Sequence, residues 1–330
     1  FPHLLIMAYW FPSCGQPIHK WANGWRYSLG MQSGVVVHPD VYEAIQSNKP
    51  VAALESTIIS HGLPRPRNLD AAKEFEEILR SSGVVPATVA VINGQPTVGL
   101  TKDQIELISN QDIPKASVRD LAILQAKKLS GATTVAATAH LAAIAGVKVF
   151  ATGGLGGVHR GASETFDESA DISTLANTPI VVVSAGVKSV LDISATLERL
   201  ETLSITVVGY KTKVFPSFWL PTSEFNLDWQ VDHVSEIAEI FKAQRSIHSN
   251  SALVVANPVP IEKAWDKKTH DEVLAKAFKA AEEAGVRGKE VTPFLLQYIV
   301  EASGGKSLEV NLELAKNNVR LAAEIAKALT

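Results

Sequence analysis

The sequence lacks the residues and patterns on which several classes of protein depend. Its single cysteine, Cys14, excludes a disulfide framework or a cysteine-ligated zinc site within one chain. The 31 basic and 34 acidic residues leave a net charge of −3, which provides no broad cationic field for nucleic acid or anionic membrane. No apolar run reaches the roughly 20 residues that cross a bilayer. We therefore expect a cytoplasmic protein with no nucleic-acid polymer and no membrane among its partners.

The first thirty residues differ in composition from the rest of the chain. They carry no acidic residue, three of the six tryptophans and no helical or strand periodicity. An acid-poor composition suits a targeting presequence, yet Lys20 and Arg26 are the only strong cations and no arginine-rich amphipathic face is present. We predict that residues 1–34 form an extension outside the core, with Met31 as a candidate start of the working protein.

Residues 35–330 carry the composition of a folded domain. The chain is 46% hydrophobic with a mean hydropathy of +0.11, which is enough to bury a sizeable core. No repeat of 20–50 residues and no low-complexity linker follows residue 34, which predicts one domain. Apolar strands predicted at 50–59, 147–151, 180–184, 205–210 and 253–257 alternate with helices. The pattern predicts an α/β fold with a largely internal sheet.

The stretch from Val149 to Asp171 combines a buried strand, a glycine-rich loop and oxygen ligands. Five glycines lie between Gly153 and Gly161, a density that allows backbone N–H groups to approach a bound group closely. The spacing is not a dinucleotide fingerprint, and no P-loop sequence occurs. In an extended loop Asp167, Ser169 and Asp171 could direct three oxygens at one cation or sugar. Alternatively, they cap a helix that begins near Ile172.

Two residues have the chemistry of a proton donor and a nucleophile. Glu55 lies in the predicted strand PVAALESTII, where apolar neighbours would raise the pKa of its carboxyl group. The alternative is a strand-end glutamate that reaches solvent. Lys188 begins a predicted helix after the strand VVVS, and a helix N-terminus favours a neutral amine, the form that attacks a carbonyl. The alternative is an ordinary surface lysine.

Further polar residues are candidates for an anion site and for substrate contacts. Lys115 with Ser117 and Arg119 could bind an anion, and the segment 133–135, at the start of the predicted helix 131–146, could add backbone N–H groups. Plain surface charge explains them equally well. His159 and Arg160, in the glycine loop, could orient a substrate oxygen, although a loop histidine is usually solvated.

Several long motifs resemble those of the pseudouridine-5′-phosphate glycosidase family. They are ALESTIISHGLP, GATTVAATA, VFATGGLGGVHRGA followed by FDESADI, SAGVKSVLD, TPFLL and SLEVNLELAKNN. The resemblance spans about residues 51–326. It implies a three-layer α/β/α sandwich, a homotrimer, and metal-assisted cleavage of the C–C glycosidic bond of pseudouridine 5′-phosphate to uracil and ribose 5-phosphate.

The resemblance also implies roles for particular residues. The glutamate of LEST, Glu55, corresponds to the proton donor, and the lysine of AGVKS, Lys188, to a nucleophile that forms a Schiff base with ring-opened ribose. Asp167 corresponds to the ligand of a divalent metal, usually Mn²⁺. The positions that match substrate contacts are Lys115, Val135, Ser169, Ala170 and Asp171, together with His159 and Asn311. Val118 stands where a second basic residue is more usual.

The sequence is also consistent with two other functions. One is a different lysine-dependent sugar-phosphate lyase, or an N-ribosidase, on the same scaffold. The other is a phosphosugar-binding regulatory protein without enzymatic activity. A binding protein has no need for an amine kept neutral beside a carboxyl group kept protonated, which favours an enzyme.

Overall fold

The computed structural model describes residues 34–287 and 291–330. Within those residues eleven strands pair into one sheet. The expectation for the extension, residues 1–34, lies outside the described residues except for Gly34. The strands are β1 Val36–Val37, β2 Val51–Leu54, β3 Val85–Ile92, β4 Gln95–Val98, β5 Lys115–Ala116, β6 Gly131–Thr133, β7 Val149–Ala151, β8 Val181–Ser184, β9 Thr206–Tyr210, β10 Gln230–Val231 and β11 Leu253–Ala256.

Helices alternate with these strands and pack against the sheet. Helix α13 contacts β2, β7 and β8, and α6 contacts β2 and β3. The α-helices are α1 Pro39–Gln46, α2 Thr57–Ser60, α3 Arg67–Ser81, α4 Lys102–Asn110, α5 Val118–Lys127, α6 Val135–Ala145, α7 Ala162–Thr165, α8 Ala170–Leu175, α9 Ile193–Thr202, α10 Val234–Ser246, α11 Lys267–Glu283, α12 Val291–Ala302 and α13 Lys306–Ala328. Among the described residues no helix is both long and apolar enough to cross a membrane.

The sheet is largely parallel and its centre is buried. The main path runs β1-β4-β3-β2-β7-β8-β11-β9-β10, with β5 and β6 attached beside β3. Every residue of β2, β7, β8 and β11 is buried, as the near-continuous apolar strands predicted. Strand β3 is antiparallel to β4 and β6. The α/β fold class predicted from the sequence is confirmed.

The strand register decides which loops meet. β2 pairs with β7 in parallel, with Leu54 beside Ala151, and β7 pairs with β8, with Ala151 beside Val183. β11 continues the same parallel set from β8. Parallel strands end at the same edge of a sheet, so the segments that follow β2, β7, β8 and β11 come together there. Those segments contain Glu55, the glycine loop, Lys188 and Asn257.

Candidate active site

Glu55 lies directly after β2 and not inside a strand. The strand predicted over 50–59 ends at Leu54, and Thr57–Ser60 form the short helix α2. The chain turns here, and two hydroxyl groups bond to Thr133. Ser56 Oγ accepts a hydrogen bond from the Thr133 N–H at 2.8 Å, and Thr57 Oγ1 donates to the Thr133 carbonyl at 2.8 Å. These bonds fasten the residues after Glu55 to the end of β6.

The carboxyl group of Glu55 is surrounded by one hydroxyl group and three charged groups. Burial raises its pKa above the ordinary value, and the nearby Asp171 carboxylate raises it further. The Lys188 charge, a hydrogen bond from Thr152 and the Lys115 charge act in the opposite direction. The net result is a raised pKa, as expected for a proton donor.

Lys188 lies in a turn, so the helix predicted to begin there is wrong. Helix α9 starts five residues later, at Ile193, where the Asp192 carboxylate caps the Ala195 N–H at 2.9 Å. The Lys188 N–H instead donates to the carbonyl of Leu155 at 3.2 Å, which ties this segment to the glycine loop. The helix dipole therefore does not act on the Lys188 amine. The Lys188 amine instead lies near Glu55 and Lys115.

Lys115 is the second amine of the site and lies in β5. Burial lowers its pKa, and so does the neighbouring Lys188 charge, while Asp171 and Glu55 act in the opposite direction. The Thr134 N–H bonds to the carbonyl of Ala116, so the start of α6 lies beside this strand. Val135, a predicted substrate contact, is the first residue of α6. The segment 131–133, predicted as helix, is strand β6.

Asp171 connects the glycine loop to the start of α6. Its carboxylate accepts the Gly156 N–H at 2.8 Å and the Ala136 N–H at 2.9 Å. Ser169 is the N-cap of α8, and its hydroxyl oxygen accepts the Asp171 N–H at 3.2 Å. Ala170, another predicted substrate contact, is the first residue of α8. Of the two interpretations of this oxygen-rich segment, the structure shows helix capping for Ser169.

Glycine is needed at two positions where this segment packs tightly. A β-carbon at Gly156 would overlap Ser169 Oγ and lie 2.7 Å from Asp171 Oδ2. Gly186 has a φ of +84°, and its carbonyl accepts the Leu155 N–H at 2.9 Å. The glycines therefore let the loop approach Asp171 on one side and the Lys188 segment on the other.

His159, in the glycine loop, lies beside Asp167, which follows the loop. His159 Nδ1 lies 3.7 Å from Asp167 Oδ2, and the His159 N–H donates to the Asp167 carbonyl at 3.0 Å. The described residues contain no group of three His, Cys, Asp or Glu placed to hold a metal. A single carboxylate that is about one-third exposed fits a hard divalent cation that keeps most of its ligands as water. Asp167 is thus compatible with a largely hydrated Mn²⁺.

Arg160 has different surroundings from His159, although the sequence suggested them as a donor pair. Its guanidinium lies 4.4 Å from the centre of the Phe278 ring. It lines a cavity of about 600 Å³ together with Ser189, Asp192 and His270. Arg119, which the sequence suggested for an anion site, is exposed. Its Nε lies 3.8 Å from Asp120 Oδ1.

Helix α13 brings two asparagines to the glycine loop. The Asn311 side-chain oxygen lies 3.4 Å from the place of a β-carbon at Gly153, so this predicted contact residue reaches the loop. Asn318 is fully buried, and its amide nitrogen donates to the carbonyls of Thr152 at 2.7 Å and Gly153 at 3.3 Å. Asn257, after β11, donates in turn to Asn318 Oδ1 at 2.9 Å.

Sequence reasoning missed Thr152 and Asn318. Thr152 follows β7 and donates a hydrogen bond to Glu55 Oε1. The sequence signal for Thr152 was its position at the carboxyl end of an apolar strand. Its contact with Glu55, however, requires β7 to lie beside β2, and the sequence pattern does not predict this strand order. Asn318 lay within a motif already noted, yet periodicity does not distinguish a buried asparagine from a solvated one.

The fold and the site define an enzyme in which a partly buried carboxyl group and two amines lie close together beside a largely parallel sheet. Residues 40–328 match the model of the indigoidine synthase A-like protein family. A relative from Saccharopolyspora erythraea, named pseudouridine-5′-phosphate glycosidase, is 55% identical over 295 residues, which are 89% of this chain and 97% of its own. One of the same name from Escherichia coli K12 is 50% identical over 293 residues, 88% and 94% of the two chains. The chain belongs to the family of the pseudouridine-5′-phosphate glycosidases.

Two solved structures share the fold. The prealnumycin C-glycosynthase AlnA, in complex with ribulose 5-phosphate, superposes with a TM-score of 0.83 at 32% identity, over 89% of this chain and 96% of its own. An indigoidine synthase A-like protein from Thermotoga maritima gives a TM-score of 0.81 at 35% identity, over 89% and 97% of the two chains.

Proposed function

We propose that this enzyme cleaves the C–C glycosidic bond of pseudouridine 5′-phosphate reversibly, giving uracil and ribose 5-phosphate. The observation that carries the proposal is the joint placement of Glu55, Lys188 and Lys115, whose charges act on one another at the edge of the sheet. The names of the relatives and the phosphosugar bound to the C-glycosynthase support it.

The chemistry explains why an amine and an acid are both required. A carbon leaving group must gain a proton as its bond to the sugar breaks, so two glycosidase carboxylates do not suffice. The Lys188 amine bonds to C1′ as the C1′–O4′ bond opens and that oxygen takes a proton. Glu55 then protonates the base carbon, the C–C electron pair returns to the base, and the nitrogen lone pair forms a C=N bond. Water hydrolyses the imine and releases ribose 5-phosphate.

The remaining residues bind and orient the substrate in this proposal. Lys115, near the start of α6, supplies positive charge suited to the phosphate. Val135, Ser169, Ala170 and Asp171 border the same region. His159 lies in the glycine loop, and Asn311 approaches this loop from α13. We further propose a homotrimer, as the resemblance implies, which sedimentation velocity of the purified protein tests.

Release of the base tests the reaction. We expect uracil from pseudouridine 5′-phosphate and none from uridine 5′-monophosphate, because the N-glycosidic bond of the second compound calls for different leaving-group chemistry. The measurement is chromatographic detection of uracil from each nucleotide with the same enzyme preparation. Release only from uridine 5′-monophosphate would make the protein an N-ribosidase. Saturable binding of both without uracil would make it a phosphosugar-binding protein.

For the metal, we propose that Asp167 holds a divalent cation, with His159 beside it. When bound, the cation would polarise substrate oxygens and stabilise developing negative charge. We expect a strong chelator to suppress uracil release and Mn²⁺ to restore it. Direct titration of Mn²⁺ by electron paramagnetic resonance should show binding that Asp167→Asn weakens. Full activity in the presence of the chelator would remove the metal from this account.

A further inference from the structure

The contact between Thr152 and Glu55 joins a residue of no assigned role to the proposed acid. Thr152 Oγ1 donates its hydrogen bond to Glu55 Oε1. The two residues follow neighbouring parallel strands, with Leu54 of β2 beside Ala151 of β7, so the register itself places them side by side. Thr152 is 3% exposed, so water does not compete effectively for the hydroxyl.

The backbone N–H and carbonyl groups of Thr152 are both hydrogen-bonded. Its N–H donates to the Val183 carbonyl on β8 at 3.0 Å. Its carbonyl accepts the Asn318 amide at 2.7 Å, and Asn318 is held by Asn257 at 2.9 Å. A threonine side chain has few allowed rotamers, so a fixed backbone leaves little freedom for the hydroxyl. The bond to Glu55 is therefore preorganised by β8 and α13.

We propose that Thr152 is a positioning residue that assigns the two oxygens of Glu55 different tasks, with Asn318 holding Thr152 in place. A threonine hydroxyl has one hydrogen. Because that hydrogen goes to Oε1, this oxygen is an acceptor whether Glu55 is neutral or charged, and the acidic proton resides on Oε2. Oε2 is then the atom that delivers the proton. This inference rests on the proposed function for its catalytic meaning, but the hydrogen bond can be measured without it.

The proton-transfer step gives this arrangement a second effect. When the O–H bond at Oε2 breaks and the proton moves to the base carbon, negative charge spreads over both carboxylate oxygens. The Thr152 hydroxyl then bonds to a charged acceptor, and such bonds are stronger than bonds to a neutral one. Thr152 thus stabilises the carboxylate more than the acid, which opposes the rise in pKa that burial causes.

Thr152→Val tests the role, because valine keeps the shape and removes the hydroxyl. We expect kcat to fall about tenfold with KM little changed, since positioning of a general acid affects the chemical step. The basic limb of the kcat/KM profile should move to higher pH, because the carboxylate loses a stabilising bond. The other groups that face Glu55, namely Lys188, Asp171 and Lys115, remain in this variant. Thr152→Ser keeps a hydroxyl and should restore most of the rate.

A matched control separates this role from a structural one. Thr178 is also 3% exposed, and its Oγ1 donates to the Thr174 carbonyl at 2.7 Å, just before β8 and at the opposite edge of the sheet. Thr178→Val should lower the melting temperature without moving the pH limb. If Thr152→Val does not fold, Thr152→Ala removes the hydroxyl without adding bulk and takes its place.

Infrared spectroscopy of the full chain gives a readout that is independent of turnover. The C=O stretch of protonated Glu55 is identified by subtracting the spectrum of Glu55→Gln over a series of pH values. We expect this band at higher frequency in Thr152→Val, because Oε1 no longer accepts a hydrogen bond. An unchanged band together with an unchanged pH limb would overturn the proposal. If the band shifts in Thr152→Val but the parent protein releases no uracil, the hydrogen bond is upheld and the proposed function is refuted instead.

Discussion

Lys188→Ala is expected to lower kcat by about 10⁴-fold or more while the protein remains folded, because no other group replaces a covalent nucleophile. Lys188→Arg should fail to the same extent, since a guanidinium cannot form an imine. Rates of uracil release and far-ultraviolet circular dichroism measure the two effects. Lys242→Ala, at an exposed position on α10, is the control and should retain parental activity. Substantial turnover by purified Lys188→Ala would end the assignment of the nucleophile.

The structure makes a trapping experiment necessary, because two amines lie near Glu55. Borohydride should reduce the imine formed with ribose 5-phosphate to a stable secondary amine, which mass spectrometry of peptides can locate. Lys188 and Lys115 fall in different peptides, so the adduct identifies one of them. We expect it on Lys188. An adduct on Lys115 would reverse the roles of the two lysines while leaving the chemistry in place.

Glu55→Gln should lower kcat by about 10²- to 10⁴-fold, the range that general acid catalysis contributes, with substrate binding largely retained. Burial raises the pKa of Glu55 above its ordinary value, so the group keeps its proton at a higher pH than a solvated glutamate does. Because the acid acts in its protonated form, parental activity should fall as pH rises through that pKa. The kcat/KM profile of the parent enzyme tests this.

The control for Glu55 is Glu77→Gln, an exposed position on α3. It removes one carboxylate charge from the chain without touching the site, and its pH profile should match that of the parent. A Glu55→Gln enzyme with parental turnover would show that the proton comes from another group. A Glu55→Gln enzyme that no longer binds ribose 5-phosphate would show that the carboxyl group has a role in binding.

Much of the fold followed from local pattern. The Asn93-Gly94 pair predicts a hairpin, and β3 and β4 meet there with φ of +49° and +82°. The apolar strands at β7, β8 and β11 occur close to their predicted bounds, because a strand buried on both faces leaves a continuous apolar signal. The sequence also predicts helices at 272–284, 293–302 and 309–329, and α11, α12 and α13 occur there, since periodicity over three turns or more is a strong signal.

The errors occurred where side chains from distant segments determine the backbone. LESTII has strand composition, yet the chain turns after Glu55, where Ser56 accepts a hydrogen bond from the Thr133 N–H and Thr57 donates one to the Thr133 carbonyl. The segment that begins at Lys188 has helix composition, yet the Lys188 N–H bonds to the Leu155 carbonyl in the glycine loop. The helix begins only after the cap at Asp192. Local pattern contains neither partner.

For the site, the sequence names candidate residues, and the structure adds their spatial arrangement. Resemblance supplied Glu55, Lys188 and Lys115, and the structure places these three close enough for their charges to interact. The helix dipole expected at Lys188 is absent, because α9 begins five residues later, and the neighbours of this amine include Lys115 and Glu55. Thr152 was missed because its contact with Glu55 follows from strand order, a property of the whole sheet.

The position of α13 has a consequence for protein synthesis. A ribosome that has reached Gly305 has already made Glu55, the glycine loop and Lys188, but not the two asparagines of α13 that contact that loop. The nascent polypeptide therefore contains Glu55, Lys188 and the glycine loop before the helix that contacts this loop has been made. The hydrogen bond from Asn318 to the carbonyl of Thr152, the residue that contacts Glu55, therefore forms only after α13 has emerged from the ribosome and packed against the sheet.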